Sequence, residues 1–347
     1  MPDAENGSYY SCIGDYASLR FQPVNLMSVF TAVEPGQLEH FLQRYALGKA
    51  CDFSPISAGI TNTNYYLDTD YGSYVLTLYE HHSDDELDYM LGLQQHLAEK
   101  SVLCPAPVKD RRGDFYSSLN HRPAAIINRL PGDVETAPAS EHCAQIGAEL
   151  ARFHLAGQDY VKNRPNSRGV EWLLAAGDML ETHLTAQDRQ LLTSTVGDYR
   201  NFNHRPLAHG AIHADLFHDN ALFVDGELGG IIDFDYACHD SLVLDIAVLL
   251  NDWCSDMQGN LESNHVAAVL NAYQQLRPLH QAEIRALPLM LRISALRFWL
   301  SRLYDKVFPL SGELTFIKNP DWFRELLMLR STKTHQLERL FLTHYMG

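Results

Sequence analysis

The sequence predicts an α+β chain of two lobes, a small β-rich amino-terminal one and a larger, mainly helical carboxy-terminal one. Three observations lead there. Between about 53 and 79, short apolar runs alternate with polar residues and are separated by turn residues, the period of strands half buried in a sheet. Beyond Gly132 the apolar spacing changes to that of amphipathic helices. With 347 residues, 46% of them hydrophobic, the chain can bury the core of one large domain or of two lobes.

Residues 1–26 carry neither a basic start nor an apolar run, so they read as a weakly ordered extension rather than a signal peptide, and Met27 could itself be the start. Leu38, Phe41, Leu42 and Tyr45 then fall at helical spacing. Strands are expected near 53–58, 63–69 and 73–79, the last two joined across "DYG". Ser83 and Glu86 form a capping box for a helix from 84 to about 100. Two more strands lead through "AAIINRLPGD" to the lobe boundary near 130–132. Ile146, Leu150 and Phe153 mark one helical stripe, and further helices are expected at 171–184, 240–254, 263–277, 283–304 and 320–342. A small-molecule site belongs in the cleft of such a two-lobed chain.

A formal net charge of −16 argues against a phosphate-backbone or anionic-membrane footprint, so neither nucleic acid nor membrane is an expected partner. No stretch approaches the ~20 apolar residues of a spanning helix. Six scattered cysteines without a CxxC pair suit reduced thiols in a cytoplasmic protein. Oligomeric state is not readable.

The stretch "HGAIHADLFHDNALFVDGELGGIIDFDYA", residues 209–237, breaks the helical pattern. Within it "ALFV", "DG" and "ELGGII" spell a β-hairpin, since Asp225 and Gly226 tolerate the positive φ of a primed turn. A hairpin returns the chain to its origin, which sets Asn220 at the entry beside Asp233 at the exit. Strands ~4.8 Å apart let two inward oxygens both lie ~2.1 Å from one magnesium ion. Asp215, five residues before Asn220, adds a carboxylate beside the ion without having to bind it. A solvated acidic loop, or a zinc site using His209 and His213, are the other readings, although Gly210 interrupts any helix joining the two histidines. His213 is expected to pack under the loop and hydrogen-bond backbone.

The protein-kinase catalytic loop has the same arithmetic: an aspartate that accepts the attacking hydroxyl's proton, an amide five positions on that holds magnesium, and a later aspartate on the magnesium that bridges the nucleotide phosphates. "HADLFHDN" with "IIDFDYA" resembles the aminoglycoside phosphotransferase and choline kinase superfamily, whose fold is similar to that of protein kinases. Together with "GITNTNYYLDTDYGSYVLTLYE", "HLAEKSVLCPAPV", "GAELARFHLAG", "IIDFDYACHDSLVLDIAVLLNDWC" and "LRISALRFWLSRLYD", these motifs resemble the bacterial homoserine kinases of that type over roughly 27–347. The resemblance implies a protein-kinase-like fold, with 27–130 as the nucleotide-covering lobe and 131–347 as the catalytic and substrate lobe. It implies ATP and Mg2+ as cofactors and L-homoserine as the substrate. It also implies Asp215 as the catalytic aspartate, Asn220 and Asp233 as magnesium ligands, and 57–64 as the nucleotide-covering turn, with Ser57, Gly59, Thr61, Asn62 and Asn64, joined by Ile127, at the nucleotide.

Two features depart from familiar phosphate machinery. "SAGITNTN" has a single glycine, so an ordinary β-turn is an equal reading, and Thr77 stands where many relatives carry a basic residue on the third strand. Lys100, Lys109 and Arg129 are alternative phosphate donors. "YALGKA" lacks the first glycine and the final Ser or Thr of a P-loop. For a homoserine carboxylate the candidate is Arg297, in an apolar helix, with Arg292 and Arg302 as alternatives. For its ammonium the candidates are Asp235, Asp240 and Asp252, Asp235 first because it follows the metal segment, and Tyr236 beside it completes the substrate set. Asp240 could instead cap the helix beginning at Ser241, and Asp245 could brace the loop. The other substrate reading is choline or ethanolamine, held in an aromatic cage from Trp253, Trp299 and Tyr304. The non-enzymatic reading is a catalytically silent nucleotide-binding protein, motivated by Thr77.

Overall fold

Along Thr63–Thr69 (β2) every second side chain turns inward: Thr63, Tyr65, Leu67 and Thr69 are buried while Asn64, Tyr66 and Asp68 are not. That period, with aromatic and β-branched residues at the buried positions, makes β2 a central strand. It pairs antiparallel with Ala50–Pro55 (β1) on one side and Gly72–Leu78 (β3) on the other. Tyr116–Leu119 (β4) and Arg122–Asn128 (β5) complete a five-stranded sheet in the order β1-β2-β3-β5-β4. Leu38 and Phe41 of the helix Pro35–Leu42 (α1) join Leu67, Leu76, Leu78 and Ile126 in one core.

The computed structural model describes residues 31–56, 61–309 and 318–346. They fall into two compact units, the first taken from Met1–Ser83 and Ala106–Arg129, the second from Asp84–Pro105, Leu130–Ser311 and Phe316–Gly347. The helix Asp84–Glu99 (α2) groups with the second unit, whereas the sequence reading kept it in the segment 27–130. The expected extension 1–26 lies outside the described residues.

In the second unit Asp133–Val134 (β6), Ala221–Val224 (β8) and Glu227–Ile231 (β9) form a small sheet, and His209–Ile212 (β7) pairs with Cys238–Ser241 (β10). The helices are Ser140–Ala156 (α3), Val170–Met179 (α4), Ala186–Asn201 (α5), Leu242–Trp253 (α6), Ser263–Leu276 (α7), Gln281–Val307 (α8), Asp321–Thr332 (α9) and Thr334–Met346 (α10). α8 is buried without interruption from Ala286 to Leu300, and α5, α6, α9 and α10 all pack against it. This explains why its hydrophobic stripe runs nearly all the way round.

Two expectations needed revision, and one helix had not been expected. The helix expected at 240–254 begins only at Leu242, because Asp240 and Ser241 are held extended by pairing with Gly210 and His209; Ser241 takes the N-cap position, and Asp240 does not. The helix expected at 320–342 is two helices broken at Lys333, which lets both halves reach α8. The stretch 186–201, which periodicity did not single out, is α5; it starts at a reciprocal cap in which Thr185 Oγ1 accepts from the Asp188 N–H and Asp188 accepts from the Thr185 N–H.

Candidate active site

β7 delivers the chain into a tight loop. Ala214 adopts φ 65°, a left-handed backbone that a side chain disfavours, and three hydrogen bonds with two side chains hold the loop there. Asp245 on α6 accepts the N–H groups of His213 at 2.8 Å and Ala214 at 2.7 Å, while the Arg297 guanidinium donates to the Ala214 carbonyl. Burial alone would raise the Asp245 carboxyl, but hydrogen bonds from His154 and from the loop outweigh it and hold the group below the usual carboxylate range. His154 in turn stands 2.7 Å from the Tyr273 hydroxyl. Asp245 therefore braces the loop as an ion.

The side chain that follows this kink is Asp215. Its own carbonyl accepts from Asn220 Nδ2 at 2.8 Å, and its carboxylate lies 3.4 Å from the same nitrogen. With the amide nitrogen committed to Asp215, Asn220 presents its carbonyl oxygen, the atom a hard cation takes. A primed turn at Asp225 and Gly226, φ 51° and 84°, closes the β8-β9 hairpin. A bulge places both Gly229 and Gly230 across from the Leu222–Phe223 step, so Asn220 meets Ile232, whose N–H donates to the backbone carbonyl of Asn220 at 2.9 Å and leaves its side-chain oxygen out of this bond. His213 Nε2 lies 2.9 Å from the Ile232 carbonyl, fastening the loop to the strand exit. Asp233 follows at φ 64°, with the Asp235 N–H 3.3 Å from its carboxylate.

The electrostatics are those of a site short of positive charge. Burial, then the Asp233 and Asp219 carboxylates, push Asp215 up to about 8, against Arg297 and Lys318. Burial, then Asp235 and Asp219, push Asp233 up to about 7. An amide oxygen just before β8 and a carboxylate just after β9, amid crowded carboxylates, fit a divalent cation such as Mg2+, which takes one or two protein oxygens and completes its shell with phosphates and water. Among the described residues no three His, Cys, Asp or Glu side chains assemble into a metal-binding group, so the zinc reading finds no ligand set. His213 is fully buried and bonded to backbone, as expected.

The remaining candidates divide. Arg297 is 3% exposed and lies beside the loop, its guanidinium 5.1 Å from the Tyr236 ring. Arg292 is taken up by Asp198 and Thr195, and Arg302 stacks on Phe323 at 4.4 Å. Asp252 accepts from both the backbone and the ring of His218 at 2.7 Å, which makes it a loop anchor. Asp235 lies in the turn between β9 and β10, its carbonyl held by Arg164 at 2.7 Å. Trp253 and Trp299 are core residues, and Tyr304 packs on Phe308, so the three form no open cage.

In the first unit Thr77 donates to Asn64 Oδ1 at 2.8 Å, Asn62 is buried with its Oδ1 3.4 Å from the Glu80 N–H, Thr61 is half-buried, and Ile127 on β5 faces away from the buried Ile126. Ser57 and Gly59 lie outside the described residues. Of the alternative phosphate donors, Lys100 pairs with Asp159, Lys109 stacks on Phe115 and Arg129 on Tyr66. Sequence reasoning missed Lys318, which pairs with Asp219 at 2.7 Å; it comes from far along the chain and has no motif of its own.

The phosphotransferase enzyme family matches residues 52–279. The chain is 46% identical over 301 residues to a homoserine kinase of Methylobacillus flagellatus, covering 87% of this chain and 94% of that one. It is 42% identical over 311 residues to a homoserine kinase of Methylobacillus glycogenes, covering 90% and 98%. Its fold is similar to that of an amicoumacin kinase solved in complex with AMP-PNP, Ca2+ and Ami, at TM-score 0.65 and 19% identity over 87% of this chain and 92% of that one. With the loop, hairpin and carboxylates already in place, these matches settle the family: the chain belongs to the phosphotransferase enzyme family and, within it, to the homoserine kinases.

Proposed function

We propose that this chain transfers the γ-phosphoryl group of ATP to the side-chain hydroxyl of L-homoserine, giving O-phospho-L-homoserine, in the cytoplasm and on the way to threonine. The observation that carries the reading is the Asp215 loop, locked by Asp245 and Arg297 and joined by Asn220 to a hairpin that ends in Asp233.

Phosphoryl transfer asks a protein for alignment and charge neutralisation more than for covalent chemistry. Asp215 orients the substrate hydroxyl and accepts its proton. Asn220 and Asp233 hold Mg2+, which when bound neutralises phosphate charge and lowers the electrostatic cost of bringing ATP to an acidic site. Arg297 and Asp235 are assigned to the carboxylate and ammonium of the amino acid, with Tyr236 beside them, and 57–64 with Ile127 to the nucleotide. Asp252 serves the site through His218.

Asp215→Asn is the direct test. It is expected to lower kcat by about 100-fold or more, the usual worth of a positioned base, with little change in ATP affinity. Near-normal ADP release by this variant would remove Asp215 from the chemistry. Assaying the parent enzyme with L-homoserine, choline, ethanolamine and an aminoglycoside checks the substrate, and a clear preference for any other than L-homoserine defeats that assignment.

A further inference from the structure

Arg168 makes no ion pair among the described residues, yet it is held in one place. Its guanidinium stacks on the Trp172 ring at 4.3 Å and lies 5.8 Å from the centre of Tyr236. The segment that carries it is laced to the segment that carries Tyr236. Arg164 donates to the Asp235 and Ala237 carbonyls at 2.7 and 3.0 Å, Pro165 bridges to His239, and Asn166 joins the Arg168 N–H at 2.9 Å to the Asp240 carboxylate at 2.7 Å.

The same Tyr236 ring has the buried Arg297 guanidinium 5.1 Å from its centre. Arg297 gives one hydrogen bond to the Ala214 carbonyl, and its Nε is buried without a partner. Two guanidiniums therefore share one aromatic platform, next to the loop of Asp215, in a chain of net charge −16. Stacking satisfies the faces of a guanidinium but none of its N–H groups, which lie in the plane and seek an anionic oxygen pair. A surface arginine resting on a tryptophan would need no second cation beside it.

We propose that Arg168 acts with Arg297 as the clamp for the substrate carboxylate, the Tyr236 ring setting their spacing, and that Arg168 makes the site select an amino acid over the same alcohol without its carboxylate. The assignment rests on the L-homoserine reading above. It deepens that reading by adding a residue from 164–168, a segment outside the motifs read in the sequence above.

The test compares L-homoserine with 3-aminopropan-1-ol, the same chain lacking the carboxylate, in the parent enzyme, Arg168→Gln and Arg168→Lys. Arg168→Gln is expected to lower kcat/KM for L-homoserine by about 10- to 100-fold, the worth of a charge-assisted hydrogen bond, chiefly through KM. Its kcat/KM for 3-aminopropan-1-ol is expected to change less than about 3-fold, and Arg168→Lys to recover part of the loss. Arg168→Gln keeping the parent's ratio between the two substrates, whether both fall together or neither does, overturns the assignment of Arg168 alone. A parent enzyme that shows no preference for the carboxylate overturns the substrate reading and, with it, the clamp.

Discussion

Ala214 and Asp233 both hold left-handed backbone, φ 65° and 64°, at a cost of about 1 kcal/mol or more each. The surrounding hydrogen bonds sustain it, and they are what aim Asp215 and Asp233. The three polar residues themselves were readable in the sequence because their spacing is local. Of their supports only Asp245 was foreseen as a brace: His154, Tyr273 and Arg297 come from three different helices, and no local pattern marks a histidine or arginine as a brace. These supports carry a pH signature. Burial holds His154 and His213 below the ordinary histidine range, in spite of the nearby Asp245. The unfolded chain, whose histidines titrate near 6.5, then binds protons more readily than the folded one. Stability from this pair is complete above about 6.5 and is lost as pH falls below it. Thermal melts between pH 7.5 and 5.5 are expected to show the midpoint dropping on the acid side, and His154→Gln to flatten that slope. An unchanged slope in the variant would remove His154 as a contributor.

At the level of elements, packing decided what patterning left open. α3 and α7 approach so closely that a Cβ on Gly147 would lie 2.5 Å from the Val269 carbonyl oxygen. Backbone on both sides cannot give way cheaply, so Gly147→Ala is expected to destabilise the protein by about 1–3 kcal/mol, read as a lower denaturant midpoint with an unchanged slope. Helices with a strong apolar stripe, such as α3 and α7, were visible in the sequence. α5 was not singled out, since its exposed surface dilutes the stripe, although the Thr185 and Asp188 cap was there to be read. The break at Lys333 was missed for another reason: Leu326 and Leu337 on its two sides keep one helical phase, although the residues 330–336 between are all polar.

For the whole molecule, the distribution of charge matters more than its total. Two units, one a five-stranded sheet with α1 and the other carrying the helices and the hairpin, make up the described chain, and no described helix is long and apolar enough to cross a membrane. The proposed site offers Mg2+ only two protein ligands, Asn220 and Asp233, so Mg2+ without nucleotide is expected to bind weakly, and added Mg2+ to raise the melting midpoint little, since stabilisation grows only as RT ln(1 + [L]/Kd). Chelation is expected to abolish ADP release, and Mg2+ to restore it. Activity that survives chelation would argue against Asn220 and Asp233 as cation ligands.

The sequence by itself determined the two-part α+β order, the primed turn at Asp225 and Gly226, and the spacing that ties Asp215, Asn220 and Asp233 together, because each is written in residues close along the chain. Tertiary structure alone decided the bulge that sets Ile232 opposite Asn220, the hold of Arg297 on the Ala214 carbonyl, and the meeting of Arg168 with Arg297 at Tyr236. A strand register shifts with a single extra residue, and distant side chains meet only when helices pack. Neither event leaves a periodic trace in the order of the amino acids.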